Sequence, residues 1–226
     1  MAGLLSTLAS LAAAGTLMVS GGVNTAAPQH DVTGQTFLVN RQWRVSKDWR
    51  PELRMTNVPG QVRQMRPDAA ACLEEMYAAC KQETGMILVD ISGFRSYGKQ
   101  SAIYSRKLRN SGSRAAADKY VARPGASEHQ LGLAMDVGQR GGKGNLGSSF
   151  GKTKGGIWLR ENCWRFGFIL RYQQGWESIT GYNYEPWHVR FVGKENAKRI
   201  HEANVPLETW LLGERERILR DLVSDD

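Results

Sequence analysis

Two stretches of the chain alternate strictly between apolar positions and polar or bare ones. In the first, residues 127–137 (SEHQLGLAMDV), Leu131, Leu133, Met135 and Val137 share one parity, and Gly132, Ala134 and Asp136 share the other. A strand sends successive side chains to opposite faces, so this pattern predicts an apolar back and a sparse front that ends in a carboxylate. Gly132 and Ala134 leave open space for a groove on that front. His129 lies just ahead of the strand, where a turn can bring its imidazole over the same side. In the second stretch, residues 185–191 (EPWHVRF), Trp187, Val189 and Phe191 form the apolar set, and His188 and Arg190 the polar one. Pro186 lacks a backbone donor and belongs at a strand start, which leaves Glu185 in the bend, free to lean over the front.

Elsewhere the periodicity is helical. Leu73, Met76, Tyr77 and Cys80 recur at i, i+3, i+4 and i+7, behind an Arg66-Pro67-Asp68 start and ahead of Gly85, so residues 67–84 are predicted to form a helix. Residues 86–91 are apolar on both parities except for Asp90, as a central strand is, and deliver Arg95 just beyond their carboxyl end. Further helices are expected over 97–109, 115–120, 157–165, 193–202 and 206–222, with Trp158 and either Cys163 or Trp164 facing inward in the third of these. Short strands are expected over 37–40 and 168–170. Residues 41–64, with Trp43, Trp49, Pro51 and Pro59, read as an irregular wrap. Residues 138–156 hold eight Gly among Lys and Ser and read as a long flexible rim or lid without the spacing of a phosphate loop.

Composition narrows the class. A chain of 226 residues with 41% hydrophobic and 23% charged content suits one globular domain with a short leader. The formal charge of +8 suggests an acidic partner such as an anionic wall or lipid surface. Lys and Arg read as scattered, and no nucleic-acid motif is present, so nucleic acid is not expected as a partner. Residues 1–29 carry no charged side chain, and residues 4–19 are apolar. We expect a signal peptide or anchor over 1–29, with a candidate cleavage zone around Thr25-Ala26-Ala27, and the working domain over 30–226. The missing basic residue ahead of the apolar run leaves an uncleaved anchor or a plain tail as alternatives. The three Cys do not form a disulfide framework. Cys72 and Cys80, eight residues apart on one helix, are separated by about 12 Å of rise, beyond the reach of a bridge. All three read as small buried hydrophobes.

The chemistry lies in the two alternating stretches. Brought front to front, they gather His129, Asp136, His188 and Glu185. Two imidazoles and a carboxylate, with a fourth position left for water, are the donor set of a catalytic zinc centre, and an additional Glu can take a proton from that water. Each half alone has a plainer reading: a single His is commonly a satisfied core or surface residue, and an Asp at a strand end a turn former.

Ser127-x-His129-x6-Asp136 together with Glu185-x-x-His188 resembles the paired signature of the VanY-type D-alanyl-D-alanine carboxypeptidases, zinc peptidases acting on peptidoglycan stem peptides. Ser92-Gly93-Phe94-Arg95-Ser96-Tyr97 with Gln100, Trp158-Leu159, residues 168–172 and Ile179-Thr180-Gly181-Tyr182 extend the resemblance over residues 37–208. Phe94, where Tyr is common, and Cys163 are small departures. The resemblance implies an α+β fold, a small mainly antiparallel sheet with helices packed around it. It implies one zinc per chain, held by His129, Asp136 and His188, with Glu185 as general base. Arg95 would stabilise the oxyanion or read the substrate's terminal carboxylate, and Ser127 and Gln100 would contact substrate. Tyr182 and Tyr184 are candidates for the groove's border. A monomer acting at the cell envelope is expected. Pentapeptide (D,D) and tetrapeptide (L,D) substrates stay open, as do an endopeptidase with the same site and a non-catalytic wall-binding module. The presence of Glu185 argues against the module, which has no use for a base.

Overall fold

The structure is a computed structural model that describes residues 31–142 and 144–224; the leader expected over 1–29 lies outside the described residues. Five strands form the main sheet in the order β2 (Gly60–Val62), β4 (Leu88–Ser92), β5 (Ala134–Gln139), β7 (Glu185–Phe191), β6 (Phe168–Tyr172). β2 runs parallel to β4, and the other three pairings are antiparallel, which is the mainly antiparallel α+β sheet expected. A separate antiparallel pair joins β1 (Arg54–Met55) to β3 (Gln64–Met65).

Helix α1 (Pro67–Thr84) follows its sequence signals. Pro67 occupies its first turn, and Gly85 closes it in a left-handed conformation (φ 73°), donating its N–H to the Lys81 carbonyl. Leu73, Met76, Tyr77 and Cys80 are all buried. α2 (Tyr97–Ser111) starts on Ser96, whose hydroxyl accepts from the Lys99 N–H, and α3 (Arg114–Asp118) follows at once. The chain continues through α4 (Lys154–Asn162), α5 (Glu177–Thr180), α6 (Lys194–Ala203) and α7 (Leu207–Ser224). Helices cover the sheet from both sides at β6. Phe168 and Leu170 enter the main core with α1 and Trp158 of α4, whereas Ile169 enters a second cluster with Ile200, Leu207 and Leu211 of α6 and α7.

Four expectations are corrected. Residues 41–64 hold β1 and β2, strands of two and three residues, too short to show a period. Residues 37–40 are not a strand, although Leu38 and Val39 are buried. Residues 138–156 are largely built: β5 runs to Gln139, a 3-10 turn spans Ser148–Lys152, and α4 begins at Lys154. Several of their Gly and polar residues serve close packing. A side chain at Gly156 would strike the Phe150 carbonyl, and the Asn145 side chain bonds both the N–H and the C=O of Gln139. The expected 157–165 helix ends at Asn162 and passes into a 3-10 turn, Cys163–Phe166, in which Cys163 is the inward residue. Trp164 instead stacks on His201, with ring centroids 4.8 Å apart. All three cysteines are free; Cys80 and Cys163 are buried, and Cys72 is half-buried.

Candidate metal centre

β5 and β7 are neighbours with Asp136 directly opposite His188. A 3-10 turn, Glu128–Leu131, delivers His129 to the same place and exits through Gly132 in a left-handed conformation (φ 70°). A side chain on Gly132 would meet Leu53, Pro51 and Arg66, so this glycine lets the 51–53 segment close over the turn and does not open a groove floor. Ala134 is fully buried opposite Arg190. The front expected to be bare is therefore filled, and open space is confined to the end of the ladder at Asp136.

There, one ligand atom each from His129, Asp136 and His188 lie within 4.8 Å of one another, all buried. The acceptor bound by each imidazole fixes which nitrogen is free. His129 Nδ1 is 2.8 Å from the Gly93 carbonyl and donates to it, leaving the Nε2 lone pair buried with no partner. His188 Nε2 is 3.1 Å from Glu128 Oε2 and Nδ1 is 3.0 Å from Asp136 Oδ1; with the Nε2 hydrogen given to Glu128, the neutral ring turns its Nδ1 lone pair to the point it shares with Asp136. His129 Nε2 lies 3.3 Å from the same oxygen. Two nitrogen lone pairs and a carboxylate oxygen converging on one point, each imidazole anchored at its far nitrogen, fit a catalytic zinc ion and the outer-shell pattern such ions use.

The electrostatics distinguish the two rings. Burial, helped by the Arg95 charge, lowers the His129 pKa to about 4, so the ring is neutral, as a ligand must be. Burial opposes the charge on His188 too, but the Asp136 and Glu128 carboxylates outweigh it and raise that ring to about 9, so at neutral pH without a metal both its nitrogens carry hydrogens toward carboxylates, and a cation at this point would take the place of the Nδ1 proton. Asp136 is held well below the usual carboxylate range: the two imidazoles overcome its burial. Glu185 differs, for burial pushes its carboxyl up to about 8.

A cavity of about 170 Å³ opens over these groups. Glu185 and Arg95 line it, as do Ser127, Gln100 and Tyr182. Three of their polar atoms are buried without a partner: Arg95 Nε, Gln100 Oε1 and the Tyr182 hydroxyl. The Gln100 amide is fixed by its other end, which donates to the Ala122 carbonyl at 2.7 Å. Tyr184 does not line this cavity. Its hydroxyl packs against Gly151, and the residue borders an adjoining groove that meets the cavity at Glu185 and Trp187. Trp187, expected in the core by parity, packs on the core with one side and lines both spaces with the other.

Beneath His129, Asp136 and His188 lies a buried ionic network to which the sequence pattern gave no role. Glu128 Oε1 accepts from Arg171 Nε (2.7 Å) and Arg190 Nη1 (2.9 Å). Arg171 then forks onto Glu208 of α7 at 2.9 and 2.5 Å. Arg190 Nη2 donates to the Gln35 and Phe37 carbonyls. None of these four side chains is more than 2% exposed, and none has a buried atom left unpaired. The available signal was Arg171, a charge inside the otherwise apolar β6; Arg190 simply continues the polar parity of β7.

A small α+β domain with a buried His/Asp/His centre and a Glu beside it is the class this geometry defines. A family profile described as VanY, D-alanyl-D-alanine carboxypeptidase, matches residues 62–194, and the chain belongs to that family. It is 41% identical over 180 residues to YodJ of Bacillus subtilis (strain 168), covering 76% of this chain and 65% of YodJ. It is 36% identical over 151 residues to a D-alanyl-D-alanine carboxypeptidase of Enterococcus faecalis, covering 63% of this chain and 54% of that enzyme. The chain thus spans just under two thirds of the first of these relatives and about half of the second. Among solved structures, the LdcB LD-carboxypeptidase superposes with a TM-score of 0.74 at 38% identity, over 85% of this chain and 91% of that one. A vancomycin-resistance D,D-pentapeptidase VanY in complex with Zn(II) superposes at 0.68 with 34% identity, over 78% and 98%.

Proposed function

We propose that the protein is a zinc-dependent carboxypeptidase that removes the C-terminal D-alanine of peptidoglycan stem peptides outside the cytoplasm. The observation that carries this reading is the unpartnered His129 Nε2, facing Asp136 Oδ1 and His188 Nδ1 in a cavity that also holds Glu185 and Arg95. His129, Asp136 and His188 would hold the ion. Zinc bound there supplies a Lewis acid for the scissile carbonyl and makes water acidic enough to lose a proton near neutral pH.

The chain's own residues do the rest. The Glu185 carboxylate accepts the proton of the attacking water and returns it to the departing amine of D-alanine. Its burial keeps its affinity for that proton high, and a divalent cation beside it moves its pKa down from about 8, toward the range in which a base works at neutral pH. Arg95 offers a guanidinium to the substrate's terminal carboxylate or its developing oxyanion. Gln100 Oε1 and the Tyr182 hydroxyl, buried without partners, are groups that peptide N–H and C=O can satisfy.

Tetrapeptide (L,D) specificity is a second reading, favoured by the extent of the match to the LdcB LD-carboxypeptidase. Purified protein incubated with pentapeptide and tetrapeptide muropeptides should release one alanine from one of them, read by mass, and chelation should stop it. Cleavage at an internal bond, or none from either substrate, contradicts the proposal. Amidating the substrate's C-terminus should slow the wild type severely and Arg95→Ala far less; equal slowing of both would move Arg95 from carboxylate recognition to the oxyanion.

A further inference from the structure

The positive charge of this chain is not scattered, as a reading along the sequence suggests. Residues 95–123, covering α2, α3 and their flanks, hold eight Lys/Arg and one acid, Asp118, a balance of +7 against +8 for the whole chain. With 30 Lys/Arg and 22 Asp/Glu in all, the remainder of the chain has 22 against 21. The single acid is not available to neutralise the others, because Asp118 is buried and taken by Arg123 and by the Tyr104 hydroxyl (2.7 Å). In sequence the cations are interrupted by Ser, Gly and Ala; folding gathers them. Lys99 and Arg106 stand about two turns apart on one line of α2, flanked by Lys107 and Arg109, while Gln100 on another face is buried toward the cavity.

Lys99, Arg106, Arg109, Arg114 and Lys119 are exposed, and none makes an ion pair among the described residues. Lys107 lies over the Tyr120 ring at 4.1 Å. Cations elsewhere are commonly paired, as in Arg54–Glu74, Arg165–Glu83 and Lys194–Glu75. An unpaired cluster of like charges repels itself, so it is retained at a cost that an anionic partner removes. The patch borders the site. Lys107 and Tyr120 line the adjoining groove of about 830 Å³ together with Lys152 and Arg160. The only large apolar side chain exposed on these two helices and their flanks is Tyr120, so there is no apolar face to enter a lipid bilayer.

We propose that the outer face of α2 and α3 is an electrostatic docking surface for a linear, phosphate-bearing polymer, which it holds beside the active-site cavity. Arg forks suit phosphate oxygens, and a surface with cations but no apolar face to insert suits a soluble polyanion better than a bilayer. The surface rests on charge and position, not on the hydrolytic chemistry.

The test uses the full chain with metal chelated, so that its outcome is separate from that of the hydrolysis assay. Binding to fluorescently labelled long-chain inorganic polyphosphate is followed by anisotropy at rising salt. Affinity should fall steeply with salt, and the Arg106→Gln/Arg109→Gln/Arg114→Gln/Lys119→Gln variant should bind roughly tenfold or more weakly, as lost counterion release implies. Its metal-loaded form should hydrolyse a short peptide at the wild-type rate. If that variant does not fold, the two double variants, one on each helix, should each lose an intermediate amount. Wild-type affinity in all variants, or binding that ignores salt, overturns the proposal. Tighter binding to phosphatidylglycerol vesicles than to polyphosphate at equal phosphate overturns the polymer in favour of a membrane surface.

Discussion

Two polar clusters meet at the β5–β7 ladder, and they are built alike but finished differently. Above the ladder, His129, Asp136, His188, Glu185 and Arg95 surround a cavity and leave His129 Nε2 and Arg95 Nε unpaired. Below it, Glu128, Arg171, Arg190 and Glu208 are as deeply buried, yet every buried side-chain N and O atom has a partner. A buried polar atom without a partner costs free energy, and a protein that keeps several around one open space keeps them for a ligand. A saturated network has nothing to offer a ligand and serves to hold its neighbours still. His188 belongs to both clusters: one nitrogen faces the cavity, the other rests on Glu128. Sequence alone gives the residue types of both clusters, and only the count of partners separates a site from its support.

Breaking the upper cluster should have the largest effect on function. His129→Ala, Asp136→Ala and His188→Ala should each lose bound zinc and all measurable carboxypeptidase activity, with metal content read by plasma mass spectrometry. Full zinc in all three variants would mean the ion is held elsewhere. Glu185→Gln comes next: zinc stays, and turnover falls by roughly 10²–10⁴-fold, the usual loss with a general base. A near-normal rate would assign the proton to another group.

The lower cluster should answer in stability and metal affinity. Arg171→Met leaves the Glu128 and Glu208 carboxylates short of partners and should cost roughly 3–5 kcal/mol, as breaking a buried ion pair does. Glu128→Gln should weaken zinc binding by about 10–100-fold in a chelator competition, as loss of an outer-shell partner of a ligating His does. Unchanged zinc affinity in Glu128→Gln would reduce that residue to packing.

Asp90 sharpens the contrast because it is half finished. One oxygen accepts from the Thr56 hydroxyl at 2.6 Å, and the other has no partner. Burial pushes its pKa up to about 6, so the folded state keeps a proton that the unfolded chain has already released. Stability of the metal-free protein should therefore fall as pH rises from about 4 to about 6 and then level off. Asp90→Asn should remove that slope in urea unfolding at several pH values, a difference of no more than about 3 kcal/mol at 1.36 kcal/mol per unit.

The parts of the fold legible in the sequence are those with a local period. β5 and β7 announce themselves by alternation, and α1 by its Pro67 start, its apolar face and Gly85. β5 and β7 carry Asp136 and His188, α1 packs behind the sheet, and His129 sits on the 3-10 turn just ahead of β5. The lower cluster was not legible, because Arg171 finds its partners 43 and 37 residues away and Arg190 finds Glu128 at a separation of 62. Nothing local marks such pairs. Gly132 misled for a related reason: bareness in sequence can admit a ligand or a neighbouring segment, and here it admits Pro51 and Leu53. Tyr182 and Tyr184 border different spaces: the first lines the cavity, and the second, packed against Gly151, lines the adjoining groove.

Anomalous diffraction from crystals of the protein grown with zinc, recorded on both sides of the zinc absorption edge, tests the centre most directly. One peak is expected, bonded to His129 Nε2, Asp136 Oδ1 and His188 Nδ1, with the Glu128–His188 Nε2 hydrogen bond intact beneath it. No peak in the cavity, or zinc held through His188 Nε2 with Glu128 displaced, would contradict both the ligand set and the division of labour between the two clusters.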